Sequence, residues 1–236
     1  MNAQIIEDVP VVLALDSSTD LLGVGLLRGD DLLYAHVQKL HRPTSEGLLP
    51  LASAALDAAG LTKNDISLVA VATGPGSFNG IRGGIAAAEG IALGLGIPAI
   101  GVPTLAATAS SWLLGDRVVC AMLNAGRGEV YYALYGPGLD DAPAIGDPVA
   151  VMHGLPRGAV VCGTFPPDSG GALKAAATVA GTTIAPAYAT IARIGALARL
   201  ALDRYNRTPV ETPRPLYLRR PGITLPRAVS KRTDQP

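Results

Sequence analysis

The first hundred residues alternate between continuous apolar runs and polar or glycine-rich turns, a pattern typical of buried strands. The apolar runs at residues 11–15 and 21–27 flank the polar turn 16–20, and so short a connection favours antiparallel pairing. These antiparallel strands are expected to form the start of a mixed sheet. The strands that these patterns predict span residues 11–15, 21–27, 31–37, 68–73 and 97–102.

Helical periodicity separates these strands. The helices that it predicts span residues 44–59, 79–95 and 105–114. We expect Thr44 or Ser45 to cap the first helix, although Pro50 near its first turn is expected to shift or kink that start. Gly96 is expected to end the second helix, because glycine readily adopts the left-handed conformation that follows a helix.

A second unit opens in the same way after residue 116. It is predicted to contain strands at 117–123, 129–135 and 160–163 and a closing helix at 191–202. Each half therefore begins with strand, turn and strand, which indicates two similar α/β units although no residue-level repeat is visible. From Thr208 onward, repeated prolines predict an extended and partly mobile segment.

Composition excludes a disordered protein. The chain has 236 residues, of which 49% are hydrophobic and 16% charged, so it can bury a large core. Its 19 basic and 19 acidic side chains cancel, and no net charge points to nucleic acid or membrane. The charge is nevertheless bipolar, with −5 over residues 1–110 and +5 over residues 111–236. Contact with a partner and a solvated basic tail both explain this asymmetry.

The cellular compartment is predicted from cysteine usage and from the apolar stretches. Cys120 and Cys162 lie in or beside apolar runs, without a CxxC pair, and are expected to be buried, reduced thiols. Residues 1–10 lack the basic region and cleavage site of a signal peptide. The uncharged stretch 90–115 is broken by prolines and glycines and is too short to span a membrane. We therefore expect a soluble, cytoplasmic protein.

Two polar or glycine-rich turns are candidates for ligand binding. The loop at residues 74–80 has the wrong spacing for a dinucleotide fingerprint and lacks the lysine of a Walker loop. A tight strand-to-helix turn, which lets two backbones approach closely, is the favoured interpretation of this loop. Asp16, Ser17 and Ser18 carry oxygen atoms suited to a phosphate and its magnesium ion, but Asp and Ser are also ordinary turn formers.

No metal site is predicted from the histidines. His36, His41 and His153 form neither an HxxxH nor an HExxH pattern. No serine, histidine and aspartate set that would form a catalytic triad can be recognised in the sequence either.

The helix predicted at residues 79–95 is unusually rich in glycine and alanine. An interior glycine costs about 1 kcal/mol of helix stability relative to alanine, so close packing must compensate. Gly83, Ala87 and Gly90 have spacings of four and three and share one stripe, which predicts close approach of a neighbouring element. That element lies either within the core or across a subunit interface. As an interface, the stripe is expected to form an apolar patch with residues of the preceding helix, namely Leu48, Leu49 and Ala52.

Four segments occur in the order that is typical of one protein family. They read LALDSST at 13–19, SEGLLP at 45–50, GPGSFNGIR at 74–82 and PLYLR at 215–219. Together they resemble the TsaB (YeaZ) family, whose members belong to the bacterial machinery that makes threonylcarbamoyladenosine in tRNA. The resemblance covers roughly residues 10–220, and the GPGSF segment is its most specific part.

This resemblance implies the actin-like, heat-shock-chaperone-type ATPase fold. Such a fold has two related α/β lobes, each with a mixed sheet flanked by helices. The lobes are expected over residues 10–105, which would carry the partner interface, and 106–220, with a mobile basic tail over 221–236.

The resemblance also implies a non-catalytic subunit. The catalytic paralogue TsaD shares the GPG loop and carries metal-binding histidines in an HxxxH arrangement after the next strand. The matching residues 101–108 contain no histidine here, so we expect neither a metal nor a transferase activity in this chain alone.

The sequence departs from the TsaB family at Asn124, where the family has the aspartate of an Asp-Ala-Arg run. This departure puts any local ion pair inferred from relatives in doubt.

Partners follow from the resemblance as well. TsaB is a scaffold for TsaD, the ATPase TsaE joins that pair, and the complex transfers threonylcarbamoyl from its adenylate to the adenosine beside the anticodon. TsaB also pairs with itself through the N-lobe helices, and tRNA contact is expected to be indirect. Asp16, Ser17 and Ser18 then form a vestigial phosphate loop with at most weak binding of ATP or ADP. The alternatives are a nucleotide-binding or nucleotide-hydrolysing protein of this fold and, with less support, a peptidase-like paralogue.

Overall fold

Two five-stranded mixed sheets organise the residues that the computed structural model describes, which are 9–41, 44–139, 141–186 and 189–219. The first sheet contains β1 (Val11–Asp16), β2 (Leu21–Arg28), β3 (Asp31–Lys39), β4 (Ile66–Ala72) and β5 (Ala99–Val102). Their order is β3-β2-β1-β4-β5. The strand β2 pairs antiparallel with β1 and β3, whereas β4 runs parallel to β1 and β5.

The second sheet repeats this arrangement. It contains β6 (Val119–Gly126), β7 (Glu129–Tyr135), β8 (Ala144–Gly146), β9 (Val160–Gly163) and β10 (Thr183–Ile184) in the order β10-β9-β6-β7-β8. Viewed from β8, the order and the strand directions match those of the first sheet, so β6 corresponds to β1 and β9 to β4. The prediction of two related lobes with mixed sheets is therefore confirmed.

Helices cover both faces of each sheet. They are α1 (Leu48–Ala58), α2 (Phe78–Leu95), α3 (Thr104–Ser110), α4 (Pro148–His153), α5 (Gly170–Ala180) and α6 (Ala189–Arg207), with a 3₁₀ turn at Lys63–Asp65. One face of the first sheet packs against α1 and α2, and the other packs against α6. The second sheet packs against α3 on one face and against α4 and α5 on the other. Because α3 also contacts α6, these two helices lie between the lobes.

The strand β1 shows why apolar residues occupy successive positions of a predicted strand rather than alternate ones. Leu13 and Leu15 face the core under α1 and α2, while Val12 and Ala14 face the core under α6. A strand that is buried on both faces is apolar at successive positions.

The helix α6 crosses back to the first lobe. It lies within the residues predicted for the second lobe, 106–220, yet its buried Ile194, Leu197 and Ala198 pack on the first sheet. The predicted lobe ranges stay a prediction, and the predicted basic tail 221–236 lies outside the described residues.

Two predicted helix boundaries were wrong. The helix α1 begins at Leu48 with Gly47 as its N-cap and no side-chain cap, because Ser45 instead packs its hydroxyl against α2. The helix α3 ends at Ser110 rather than at residue 114. The sequence analysis also missed the short or glycine-rich elements of the second lobe, which are β8, α4, α5 and β10. Among the described residues, no helix is long and apolar enough to cross a membrane.

Candidate functional site

A cleft of about 1070 Å³ lies between the lobes. It is lined by residues at or just after the carboxyl ends of four central strands: β1 and β4 in the first lobe, β6 and β9 in the second. Ligands of α/β sheets commonly bind at this edge. The side chains that line the cleft are mostly uncharged and include Ser18, Thr19, Ser77, Asn124, Thr164 and Phe165.

Asp16 lies at the end of β1 but does not line this cleft. Its side chain is buried together with that of Arg193 from α6, and each residue is only 3% exposed. Arg193 Nε donates to Asp16 Oδ2 at 2.8 Å, while the amide and the hydroxyl of Ser18 donate to Oδ1 at 2.9 and 2.6 Å. Both carboxylate oxygens therefore have protein partners, and the charge is neutralised by an arginine of the same chain.

Ser17 is also occupied by an internal contact. Its hydroxyl donates to the carbonyl oxygen of Gly80 at 2.8 Å. Of the three residues predicted to hold a phosphate, only Ser18 lines the cleft, and its hydroxyl donates to Asp16. The structure thus brings Asp16, Ser17 and Ser18 together, but as a packed turn.

The glycine-rich loop packs its backbone directly on this turn. A Cβ atom at Gly76 would lie 2.0 Å from the carbonyl oxygen of Ser18, and one at Gly80 would lie 1.9 Å from that of Ser17. The amide of Ser77 donates to the carbonyl of Ser18 at 2.7 Å, and the Ser77 hydroxyl caps α2 by accepting from the amide of Gly80. These contacts support the interpretation of close backbone approach, because they engage donors that would otherwise face an anion.

The second lobe shows the same close approach of two backbone segments at a glycine. A Cβ atom at Gly163, the last residue of β9, would lie 1.9 Å from the carbonyl oxygen of Met122 in β6. Near the end of β6, the side-chain oxygen of Asn124 accepts from the amide of Gly126 at 2.9 Å, as the Asp16 carboxylate does from the amide of Ser18. Asn124 therefore corresponds in position to Asp16, and it brings an uncharged amide to the cleft.

The ion pair near this turn involves a distant residue. Arg127 is exposed, whereas Glu129 pairs with Arg219, which also donates to the carbonyl of Ala125 at 3.0 Å. The sequence analysis missed both Arg219 and Arg193 as partners. No local signal identifies them, because 90 and 177 residues separate the members of the two pairs.

The residues at the position of the TsaD histidines do not fit a metal. Residues 101–108 form the end of β5 and the start of α3, where the hydroxyl of Thr104 accepts from the amide of Gly74 and that of Thr108 donates to the carbonyl of Thr104. Within the described parts of the chain, no group of three His, Cys, Asp or Glu side chains is placed to hold a metal ion. The two thiols are buried, and burial raises the pKa of both Cys120 and Cys162 to about 12.

The predicted interface is only partly on the surface. Leu48 and Ala52 are buried in the core of the first lobe, so their assignment to an exposed patch was wrong. Gly83 faces Ser45, whose hydroxyl lies 2.0 Å from where a Cβ atom would be, and Ala87 packs partly against the core. These two residues therefore make contacts within the lobe, while Leu49 and Gly90 are exposed.

A different stripe of α2 is exposed. Ala86, Gly90 and Leu93 are spaced by four and three residues, so they share one face of the helix. Leu93 is 87% exposed, and Leu49 on the neighbouring helix α1 is 56% exposed. A Cβ atom at Gly90 would meet nothing within 4 Å, which leaves open space above this face. We call Ala86, Gly90, Leu93 and Leu49 the α1–α2 face.

Comparison with known proteins identifies relatives over half of the chain. The family model described as "TsaD: tRNA N6-adenosine threonylcarbamoyltransferase" matches residues 37–158. The "tRNA threonylcarbamoyladenosine biosynthesis protein TsaB" of Escherichia coli is 39% identical over 126 residues, which cover 52% of this chain and 54% of that protein. The protein of the same name from Bacillus subtilis is 33% identical over 124 residues. The chain thus spans about half the length of the curated relatives it matches.

Solved structures extend the similarity to most of the fold. YeaZ from Pseudomonas aeruginosa superposes with a TM-score of 0.69 at 26% identity, covering 89% of this chain and 100% of that chain. The ROK hexokinase from Thermus thermophilus superposes with a TM-score of 0.51 at 14% identity, over 83% of this chain and 99% of its own. At such low identity, the second match shows only that the actin-like fold is shared, as predicted.

Proposed function

The chain belongs to the family of the tRNA N6-adenosine threonylcarbamoyltransferase TsaD, on its TsaB (YeaZ) branch, and from this premise we propose that it is a non-catalytic scaffold subunit in the synthesis of threonylcarbamoyladenosine in tRNA. Its partner in this proposal is the catalytic paralogue TsaD. TsaE joins through the complex, the isolated chain pairs with itself, and tRNA is contacted indirectly.

The observation that carries the proposal is the exposed α1–α2 face. A leucine that is 87% exposed on a helix, in line with small residues that let a second helix approach, offers an apolar contact to a protein partner. Among the described residues, none lies within 4 Å of a Cβ atom at Gly90, which leaves room for that partner. A two-fold interface uses one surface on both subunits, so the same face serves a second copy or a paralogue of the same fold.

The chemistry of the interior supports a non-catalytic role. The segment that corresponds to the TsaD histidines offers threonine hydroxyls that are already hydrogen-bonded within the chain. A metal that orients a threonylcarbamoyl group needs imidazole or carboxylate ligands, and residues 101–108 provide none. In this proposal the transfer step therefore belongs to the partner.

The cleft between the lobes is where nucleotide binding, the second candidate function, would take place. Its charge does not suit a polyphosphate, because Lys39 is the only cation among the described residues that line it, and Lys39 lies 3.8 Å from Asp20. We therefore expect ATP binding to be weak or absent. Isothermal titration with ATP and Mg²⁺ tests this, and micromolar affinity that is lost on Ser18→Ala would favour the second candidate.

Substitutions on exposed apolar helix residues test the scaffold role. Leu93→Asp is expected to weaken self-association and TsaD binding by about tenfold or more, because it places a charge at the centre of an apolar contact. Val179→Asp is the matched control, since Val179 is 73% exposed on α5 in the other lobe. Sedimentation of the isolated chain and titration with TsaD measure the two effects. Equal binding by the two variants, with both folded by circular dichroism, would contradict the proposal.

A further inference from the structure

The segment after α6 crosses from one lobe to the other and makes contacts with both. We call residues 213–219 the C-terminal strap. The prediction of an extended segment from Thr208 agrees with the absence of regular structure over residues 208–219. The predicted mobility stays a prediction, and backbone and side-chain contacts connect the strap to the fold at both ends.

The first end of the strap packs on the first lobe. The amide of Leu216 donates to the carbonyl of Thr73 at 2.8 Å, just after β4. Two glycines admit the strap backbone: a Cβ atom at Gly74 would lie 2.7 Å from the carbonyl oxygen of Leu216, and one at Gly101 would lie 3.3 Å from Pro213 Cα. A side chain at Gly74 would displace the strap, whereas one at Gly101 would first meet Thr73 Cγ2 at 2.6 Å.

The middle of the strap stacks on the start of α2. The rings of Tyr217 and Phe78 have centroids 4.9 Å apart, at an angle of 39°. The Arg82 guanidinium lies over the Phe78 ring, 5.2 Å from its centroid, and makes a cation–π contact with it. Such aromatic pairs stabilise a contact beyond the area that they bury.

The last residues of the strap bind the second lobe. Leu218 packs against the apolar core between α3 and the second sheet. Arg219 pairs with Glu129 and donates to the carbonyl of Ala125, on the two sides of the β6–β7 turn. Within seven residues, the strap therefore joins the β4 end of one lobe to the β6–β7 turn of the other.

The strap also lines a cavity that adjoins the cleft between the lobes. A small cavity of about 190 Å³ lies beneath it, lined by strap residues 216–219 and by residues of both lobes. Gly76, Ala125 and Tyr131 line both this cavity and the large cleft. Release of the strap would therefore join the cavity to the cleft.

From these contacts we propose that the strap is a latch that sets the angle between the lobes. When bound, it holds the β4 end and the β6–β7 turn at a fixed separation and covers the small cavity. When released, it allows the lobes to move about the α3–α6 layer. This inference rests on the strap contacts and is independent of the proposed function.

Amide exchange tests whether the strap acts as one unit. Arg219→Ala and Glu129→Gln each break the ion pair at the second lobe, and the latch requires that they loosen the other end as well. We expect the Leu216 amide to exchange about tenfold faster in both variants, the size of effect that follows loss of a charge-assisted hydrogen bond. The amide of Thr73, which donates to Val102 at 3.0 Å within the sheet, should not change.

Arg207→Ala is the matched control for Arg219→Ala, because it also removes one arginine from an ion pair. It breaks the Arg207–Asp203 ion pair, which lies within α6 and does not join the lobes. This variant should leave the exchange of Leu216 unchanged. If Leu216 exchanges at the same rate in the wild type, Arg219→Ala and Glu129→Gln, the strap is not held as a unit and the proposal fails.

The angle between the lobes is measured with spin labels. Ala58→Cys on α1 and Ala175→Cys on α5 place labels at exposed helix positions of the two lobes. The native thiols should stay unlabelled, because they are buried and their pKa is raised to about 12. We expect a single narrow distance distribution that broadens with Arg219→Ala and Glu129→Gln but not with Arg207→Ala. Faster exchange of Leu216 without this broadening would show a local tether and overturn the latch.

Discussion

At the scale of single residues, the buried ion pair between Asp16 and Arg193 determines what the first-lobe turn can do. Residue type and position after β1 were enough to single out Asp16 from the sequence. They were not enough to predict its role, because the decisive partner lies 177 residues away on α6 and no local pattern encodes that contact. The same holds for Arg219 and Glu129. Sequence identifies which residues can do chemistry, while long-range packing decides which of them are already satisfied.

Removal of the Asp16 carboxylate is therefore expected to affect stability. Asp16→Ala leaves Arg193 buried without its counter-charge and should lower the free energy of unfolding by roughly 3–5 kcal/mol. Asp203→Ala is the control, because it breaks an ion pair of similar length, 2.7 Å against 2.8 Å, whose side chains are exposed. That exposed pair should contribute about 0–1 kcal/mol. Urea unfolding of both variants measures the difference, and equal effects would show that Asp16 is not a structural residue.

At the scale of elements, α2 shows how far periodicity can be trusted. The bounds predicted for it, 79–95, differ from the observed Phe78–Leu95 by one residue, because Ser77 and Gly96 are strong end signals. Its orientation was not predicted correctly. Small residues occur all around this helix, so spacing alone could not tell the stripe at Gly83 and Ala87, which packs within the lobe, from the exposed one at Ala86 and Leu93.

Two glycines of α2 are expected to respond in opposite directions to the same substitution. Gly80→Ala would place a Cβ atom 1.9 Å from the carbonyl oxygen of Ser17 and should destabilise the fold, because backbone atoms must move apart. Gly90→Ala meets nothing and should stabilise the helix by about 0.5–1 kcal/mol. Thermal or urea unfolding measures whether each substitution lowers or raises the stability of the fold. Similar behaviour of the two variants would contradict the close approach of α2 to the β1–β2 turn.

At the scale of the whole molecule, the repeated strand–turn–strand opening predicted two related lobes, and the matching strand orders confirm them. The later elements of the second lobe were missed because strands of two or three residues leave no periodic signal. The crossing of α6 to the first sheet also has no local signature, because an amphipathic helix does not specify which apolar surface it covers. The lobes are consequently joined by α6 and by the strap.

The most direct test of the scaffold role is threonylcarbamoyl transfer to tRNA, reconstituted from purified TsaD, TsaE, ATP and the threonylcarbamoyl adenylate. We expect no transfer with this chain alone, transfer when it is combined with TsaD, and transfer with Val179→Asp. Leu93→Asp should remain folded but fail to support the reaction. Transfer by the chain without TsaD, or full support by Leu93→Asp, would contradict a non-catalytic subunit that acts through its α1–α2 face.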